Sequence, residues 1–285
     1  MLVTGATGFV GRQALAPLAA RGYEVHAVGR RDVDLLDPDA TARFVEDLRP
    51  THLLHFAWYA EPGAFWQSAE NERWRAASVR LLEAFATSGG TRAAVAGTCA
   101  EYDWSGSGLL SEQSTPLAPR TPYGEAKNAV RAAAEQLSLS LAWGRIFFLY
   151  GPHEDERRLV ASVTRALLAG LPARTTPGRQ VRDFLHVADV GAAFAALLDS
   201  GAEGPVNVGS GEGVAVADVV QRLAALVGRA ELVELGALEA PPDEPPLLVA
   251  DVGRLRDEVG WRPSGSLDDG LRDTVEWWRA TARGA

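Results

Sequence analysis

Apolar and polar positions alternate along the first half of the chain in two rhythms. Short apolar runs at Leu2-Val3-Thr4, Glu24 to Val28, His52 to Phe56, Ala93 to Ala96 and Leu139 to Phe148 read as strands. Between them, Val10 to Arg21, Asp39 to Leu48, Glu72 to Thr87 and Pro122 to Leu137 carry apolar residues at helical spacing. This alternation implies an α/β fold with a doubly wound parallel sheet and helices on both faces. A sheet of that kind takes its ligands at the carboxyl ends of its strands.

Beyond Pro152 the pattern changes. Helical spacing at Leu159 to Ala169, Val187 to Leu198, Val216 to Val227 and Asp268 to Arg279 is broken by short strands and Gly/Pro-rich loops. Gly236 to Pro246, rich in proline and acid, reads as a surface loop. Residues 1–150 are therefore expected to form one domain, and residues 151–285 mainly a smaller second one, with some segments returning to the first.

Composition narrows the class. Of 285 residues, 47% are hydrophobic and 23% charged, which suits a soluble globular protein. The net charge of -9 argues against nucleic acid or an anionic membrane as partner, because both need a basic surface. No apolar run has the length of a membrane span, and the opening Met-Leu-Val-Thr-Gly starts a strand, not a signal peptide. That first strand is short, which leaves room for residues upstream. A single cysteine, Cys99, excludes an internal disulfide and fits a reducing compartment, so the cytoplasm is expected.

One count changes the picture further. Among 28 basic residues, Lys127 is the only lysine. A chain that uses arginine everywhere else keeps one compact ammonium, whose pKa can be tuned as a guanidinium's cannot.

Thr4-Gly5-Ala6-Thr7-Gly8-Phe9-Val10-Gly11 joins the first strand to the first helix. Its glycines permit a tight turn, close approach to a pyrophosphate and close helix packing, and the helix N-terminus favours phosphate. Gly5, Thr7, Gly8, Phe9, Val10 and Gly11 are thus candidate dinucleotide contacts. The second strand ends in Val28-Gly29-Arg30-Arg31, with no acid to meet a ribose 2′-hydroxyl. Arg30 and Arg31 suit a 2′-phosphate, so NADP is favoured over NAD; the alternative is that both are simply solvated surface charges. Asp34 and Leu35 follow where an adenine edge would lie, and Phe56 and Ala57 close the third strand.

Tyr123-Gly124-Glu125-Ala126-Lys127 opens a helix after a proline-rich stretch. Residues four apart share a helix face, so phenol and ammonium can point together at the cofactor. An ammonium beside a phenol lowers the tyrosine pKa toward neutrality and makes it a proton donor and acceptor. The fourth strand runs into Gly97-Thr98-Cys99-Ala100, which puts the Thr98 hydroxyl at the sheet's carboxyl edge, able to hold a reacting carbonyl; the alternative is a threonine bonding its own backbone in a turn. Cys99 reads as a small buried filler, since no histidine is paired with it. No metal-ligand pattern occurs.

Together these residues resemble the extended short-chain dehydrogenase/reductases, in particular the nucleotide-sugar epimerase/dehydratase family. The likeness extends through His55-Phe56-Ala57, Leu81-Leu82-Glu83-Ala84, Tyr150-Gly151-Pro152, Arg182-Asp183-Phe184-Leu185-His186-Val187 with Asp189, Asn207-Val208-Gly209 and Gly260-Trp261-Arg262-Pro263. It implies a Rossmann domain with Thr98, Tyr123 and Lys127 as the catalytic set and Tyr123 and Lys127 also touching the cofactor. It also implies a nucleotide-diphosphate sugar as substrate and a homodimer formed by pairing two helices from each subunit, one of them the helix of Tyr123 and Lys127. Arg182 stands where the family meets the diphosphate, a role that suits bidentate guanidinium; an ion pair with Asp183 or Asp189 is the alternative.

Departures from the family sharpen the expectation. Its 4,6-dehydratases place an Asp-Glu pair after the active-site threonine, where this chain has Cys99 and Ala100. The asparagine frequent before Tyr-Gly-Pro is Phe148 here. Trp58 to Trp66 is unusually aromatic and looks like proteins acting on 4-keto-6-deoxy nucleotide sugars, whose C6 methyl suits aromatic walls; alternatively, Trp58, Phe65, Trp66 and Trp74 pack a long loop. The substrate-facing set is therefore Trp58, Thr98, Cys99, Ala100, Phe148 and Arg182. The expected activity is NADP-dependent reduction at C4 of a nucleotide-linked 4-keto-6-deoxyhexose, or its reverse. The alternatives are a 4-epimerase and, outside catalysis, an NADP-binding redox sensor.

Overall fold

The computed structural model describes residues 1–284. In the first half the elements are β1 (Leu2–Thr4), α1 (Gly11–Ala20), β2 (His26–Val28), α2 (Pro38–Leu48), β3 (His52–His55), α3 (Glu70–Thr87), β4 (Arg92–Thr98), α4 (Pro122–Ala134) and β5 (Ser140–Ile146). The second half adds β6 (Phe148–Tyr150), α5 (Leu159–Leu168), β7 (Ala173–Thr175), β8 (Val181–His186), α6 (Val187–Asp199), β9 (Gly204–Val208) and β10 (Gly213–Ala215). It closes with α7 (Val216–Val227), β11 (Val233–Leu235), β12 (Leu247–Leu248), α8 (Gly253–Asp257) and α9 (Leu267–Gly284).

The main sheet is parallel, in the order β2-β1-β3-β4-β5-β9. Its strands bury both faces, so consecutive residues serve opposite cores. Leu2, Leu53, Ala93, Val95, Leu141 and Trp143 join Val45, Leu81, Leu82, Phe85 and Val130 of α2, α3 and α4. Their neighbours Val3, Leu54, Ala94, Ala96 and Ala142 join Ala14, Leu18, Val190 and Phe194 of α1 and α6. Each fully buried Leu, Val or Phe side chain contributes roughly 1.5–3 kcal/mol, which is why continuous apolar runs can serve as strands here.

Leu139 to Phe148, read as one strand, is two. β5 ends at Ile146, and β6 leaves the main sheet to pair with β8 in a second sheet of order β10-β8-β12. Phe147 turns the chain between them while its N–H still reaches the Val208 carbonyl at 3.1 Å. The strand expected from Glu24 starts only at His26, although the Glu24 carbonyl still accepts from the Met1 amino group at 2.7 Å. Past residue 150 the chain returns twice to the first sheet, once as α6 against α1 and once as β9 beside β5. A separate core of Tyr150, Val160, Phe184, Val219, Leu223 and Leu271 holds α5, α7 and α9 over the second sheet.

No helix among the described residues is long and apolar enough to cross a membrane.

Candidate active site

The order β2-β1-β3 makes the carboxyl end of β1 the point where the winding reverses, and a crevice opens there. The chain leaves β1 through Gly5, whose φ of +68° is open to glycine and strained for L side chains. A Cβ on Gly5 would lie 2.7 Å from the Ala57 nitrogen, so the turn is pressed against the end of β3. Thr7 and Gly8 are exposed at its crest, and Phe9 and Val10 are partly buried behind it. Arg12, which the sequence reading overlooked, folds back over the turn and donates to the Thr7 carbonyl at 2.8 Å.

At the end of β2, Asp32 accepts from the Gly29 N–H at 2.8 Å and so shapes the loop, leaving Arg30 and Arg31 exposed beyond it. Asp34 is exposed and accepts from Leu36 N–H at 3.1 Å. Leu35, expected at an adenine edge, is instead buried in the core with Val33 and Val45. The Phe56 ring packs edge-on against Phe194, 4.8 Å between centroids, which likewise turns the side chain away and leaves main chain beside Gly5. His55 bonds Thr4 at 2.6 Å and Ser78 at 2.9 Å and is held neutral, its pKa drawn down to about 3 by burial and the Lys127 charge. It ties β3 to β1 and α3. A glycine cradle at a helix start fits the pyrophosphate of a dinucleotide.

The proton-transfer residues are brought together by two helix starts. Thr98 ends β4 and caps the Cys99–Glu101 turn, accepting from Ala100 N–H at 3.2 Å while its own N–H donates to Glu101 Oε1 at 2.9 Å. Thr121 caps α4, accepting from Gly124 N–H at 3.2 Å, and Pro122 follows it. A Cβ on Gly124 would sit 2.3 Å from the Ala100 carbonyl oxygen. Only glycine lets α4 come this close, and the approach sets Tyr123 against Thr98.

Burial pushes the Tyr123 phenol above its ordinary pKa, and a hydrogen bond with Thr98 works against this. This corrects the expectation that Lys127 would lower it: the ammonium donates to the Ala96 carbonyl at 2.8 Å and lies 3.9 Å from the centroid of the Trp58 ring. The phenol is therefore kept as an acid. Burial draws Lys127 itself down to about 7, with Glu101 opposing.

Aromatic rings stand around the phenol. Phe65, Trp66 and Trp58 meet the Tyr123 ring edge-on at centroid distances of 4.9, 5.5 and 6.3 Å. Trp104 closes on Trp66 at 6.3 Å and bonds the Cys99 carbonyl at 2.9 Å. The segment read as either walls or loop packing thus lines the acid. Cys99 and Ala100, expected to face substrate, are 5% and 2% exposed and serve mainly as packing, because the capped turn rotates them inward. Burial pushes the Cys99 thiol up to about 12, so it stays protonated and unreactive.

Arg182 is buried, stands over Phe148 at 5.3 Å and pairs with Glu244. Neither Asp183 nor Asp189 is its partner. Asp183 accepts from Ser210, Gly211 and Ala250, and Asp189 from Ser264. Burial pulls the Arg182 guanidinium down, against Glu244.

Two features went unread in the sequence. Glu101 joins Arg145 at 2.8 Å and Trp143 at 2.9 Å; Arg145 continues to Tyr102 at 2.9 Å, and Tyr102 to Asn207 at 2.8 Å. Arg158, beside the buried Glu154 at 3.3 Å, adds a weaker pull on the phenol. The signal available for the first was an acid and an arginine inside otherwise apolar runs. Among the described residues no cluster of His, Cys, Asp or Glu could hold a metal.

Comparison with known proteins follows the same lines. The model of the NAD dependent epimerase/dehydratase family matches residues 1–209. The chain is 27% identical to dTDP-glucose 4,6-dehydratase of Xanthomonas campestris pv. campestris, over 97% of this chain and 92% of that protein. It is 29% identical to GDP-6-deoxy-D-mannose reductase of Pseudomonas aeruginosa, over 99% and 98%. The solved structure of MoeE5 in complex with UDP-glucose and NAD matches with a TM-score of 0.85 and 30% identity over 99% of both chains.

Proposed function

The chain belongs to the NAD dependent epimerase/dehydratase family of nucleotide-sugar enzymes, and within it we propose an NADP-dependent reductase acting at C4 of a nucleotide-linked 4-keto-6-deoxyhexose. The observation that carries this reading is the apolar surround of the acid. Phe65 and Trp66 flank Tyr123, and Cys99 and Ala100 stand where a dehydratase needs its carboxyl groups. A sugar already lacking its C6 hydroxyl needs no such acid and base, and its methyl suits aromatic edges.

Gly5, Thr7, Gly8, Phe9, Val10 and Gly11 would hold the pyrophosphate end of the dinucleotide, and Arg30 and Arg31 its 2′-phosphate. When bound, the nicotinamide supplies or accepts hydride. The protein's own part is proton transfer and placement. Thr98 donates a hydrogen bond to the C4 oxygen and orients the carbonyl. Tyr123, kept protonated by burial, gives its proton to that oxygen as it becomes an alkoxide. Lys127, held by the Ala96 carbonyl and the Trp58 face, has an N–H to spare for the ribose. Arg182 grips the sugar-nucleotide diphosphate once Glu244 yields to it. In reverse the same groups run a dehydrogenase.

The 4-epimerase remains the second reading, favoured by the same Thr98, Tyr123 and Lys127 set and by the UDP-glucose and NAD of the MoeE5 complex. The redox-sensor reading is disfavoured by the intact acid–base pair. We further assign the protein to the cytoplasm, as a homodimer formed by pairing two helices from each subunit, α4 among them. NADPH carrying deuterium at C4 of its nicotinamide decides between the enzyme readings: a reductase delivers the label to C4 of the sugar and releases NADP, whereas an epimerase inverts C4 with no net oxidation.

A further inference from the structure

We propose that Asn71 and Trp58 form a positioning pair for Lys127: Asn71 fixes the indole, and the indole face holds the ammonium in register with Tyr123. The proposal rests on the acid–base reading above. Asn71, near the start of α3, is 1% exposed and uses both of its side-chain N–H groups and its amide oxygen. Its Oδ1 accepts from Trp58 Nε1 at 2.9 Å. Its Nδ2 donates to the Phe65 carbonyl at 2.6 Å and the Ser68 carbonyl at 3.0 Å. An indole can only donate and a carbonyl can only accept, so the amide has one orientation. One side chain thereby locks Trp58 and the Phe65–Ser68 turn, and through them three of the rings that meet the phenol.

The consequence for Lys127 follows from counting its N–H groups. An ammonium has three. One goes to the Ala96 carbonyl at 2.8 Å, and the Trp58 face, 3.9 Å from the nitrogen, takes up a second direction. The third is left for the cofactor ribose. Trp74 lies beside Trp58, 6.5 Å between ring centroids and tilted by 38°. Trp58 was expected to face substrate; the structure puts the lysine ammonium over its ring.

Because Lys127 is the only lysine, it can be watched alone. With 13C-lysine incorporated into the intact protein, its ε-methylene gives one resonance, which the indole face should displace upfield. The same signal followed against pH gives the pKa. The displacement is expected in the native protein and in Trp58→Phe, which keeps a ring face. It is expected to vanish in Trp58→Leu and to collapse toward the Leu position in Asn71→Leu. Trp58→Leu, which keeps the site dry but removes the face, should lower the lysine pKa by about half a unit to one unit, and Trp58→Phe should restore most of it. In turnover, Asn71→Leu should lose kcat by about tenfold or more.

A native signal at the ordinary lysine position, or an Asn71→Leu spectrum matching the native one, overturns the pairing. A displaced signal lost in Asn71→Leu with kcat untouched overturns the positioning role. Should Asn71→Leu fail to fold, the two Trp58 variants still decide whether the face holds the lysine. The spectra need no substrate, so failure of the reductase reading and failure of this one are told apart.

Discussion

Glu101 and Arg145 form an ion pair at 2.8 Å with side chains 0% and 1% exposed, and the same carboxylate accepts the Thr98 N–H. A charge pair buried this deeply is costly to form and costlier to break. Here it fixes the backbone of the residue that would orient the carbonyl.

Removing one partner should therefore be felt twice. Glu101→Ala leaves a buried guanidinium unpaired and should cost roughly 3–5 kcal/mol of stability, measured by urea unfolding. The double variant Glu101→Leu/Arg145→Met, apolar on both sides, should recover most of that stability and little of the activity, since Thr98 stays unanchored. A double variant as active as the native protein would show the pair to be packing alone.

The arginines after β2 carry the cofactor preference. Arg30→Ser/Arg31→Ser should weaken NADPH binding by about tenfold or more, the loss of one or two charge-assisted hydrogen bonds. NADH binding should hardly change. Equal losses for both dinucleotides would move the selectivity elsewhere in the crevice.

How far the sequence carries depends on how local each cause is. The Gly5–Gly11 turn, the Thr121-Pro122 start of α4 and the single lysine were legible because each is set by neighbouring residues. Where β5 ends was not: the apolar run continues to Phe148, and only pairing of β6 with β8 breaks it. Contacts between distant segments stayed hidden for the same reason. Nothing local announces that Glu101 meets Arg145, that Arg182 meets Glu244 across 62 residues, or that Asn71 anchors Trp58. The depressed tyrosine was misjudged because spacing showed that Lys127 shares its helix face, while burial, which dominates, belongs to the folded site.

Lys127 also gives the protein a pH signature. Its proton is held to about 10.5 in the unfolded chain but released near 7 in the fold. Below that window both states carry the charge and the fold bears its full desolvation cost. Between the two values the unfolded state binds more protons, so stability rises with pH. Relative to Lys127→Met, the native protein should gain on the order of a few kcal/mol from pH 6.5 to 9.5, read from denaturant unfolding at each pH. Parallel curves for the two proteins would contradict the buried, titrating lysine.

The central claim is that Tyr123 protonates a sugar C4 oxygen as NADPH is consumed. Its most direct test follows NADPH absorbance with purified protein and a nucleotide-linked 4-keto-6-deoxyhexose, beside Tyr123→Phe. The account predicts oxidation in the native protein, reduced by about 100-fold or more in Tyr123→Phe, with dinucleotide binding intact. No oxidation by native protein that binds NADPH, or equal oxidation by both, would contradict it.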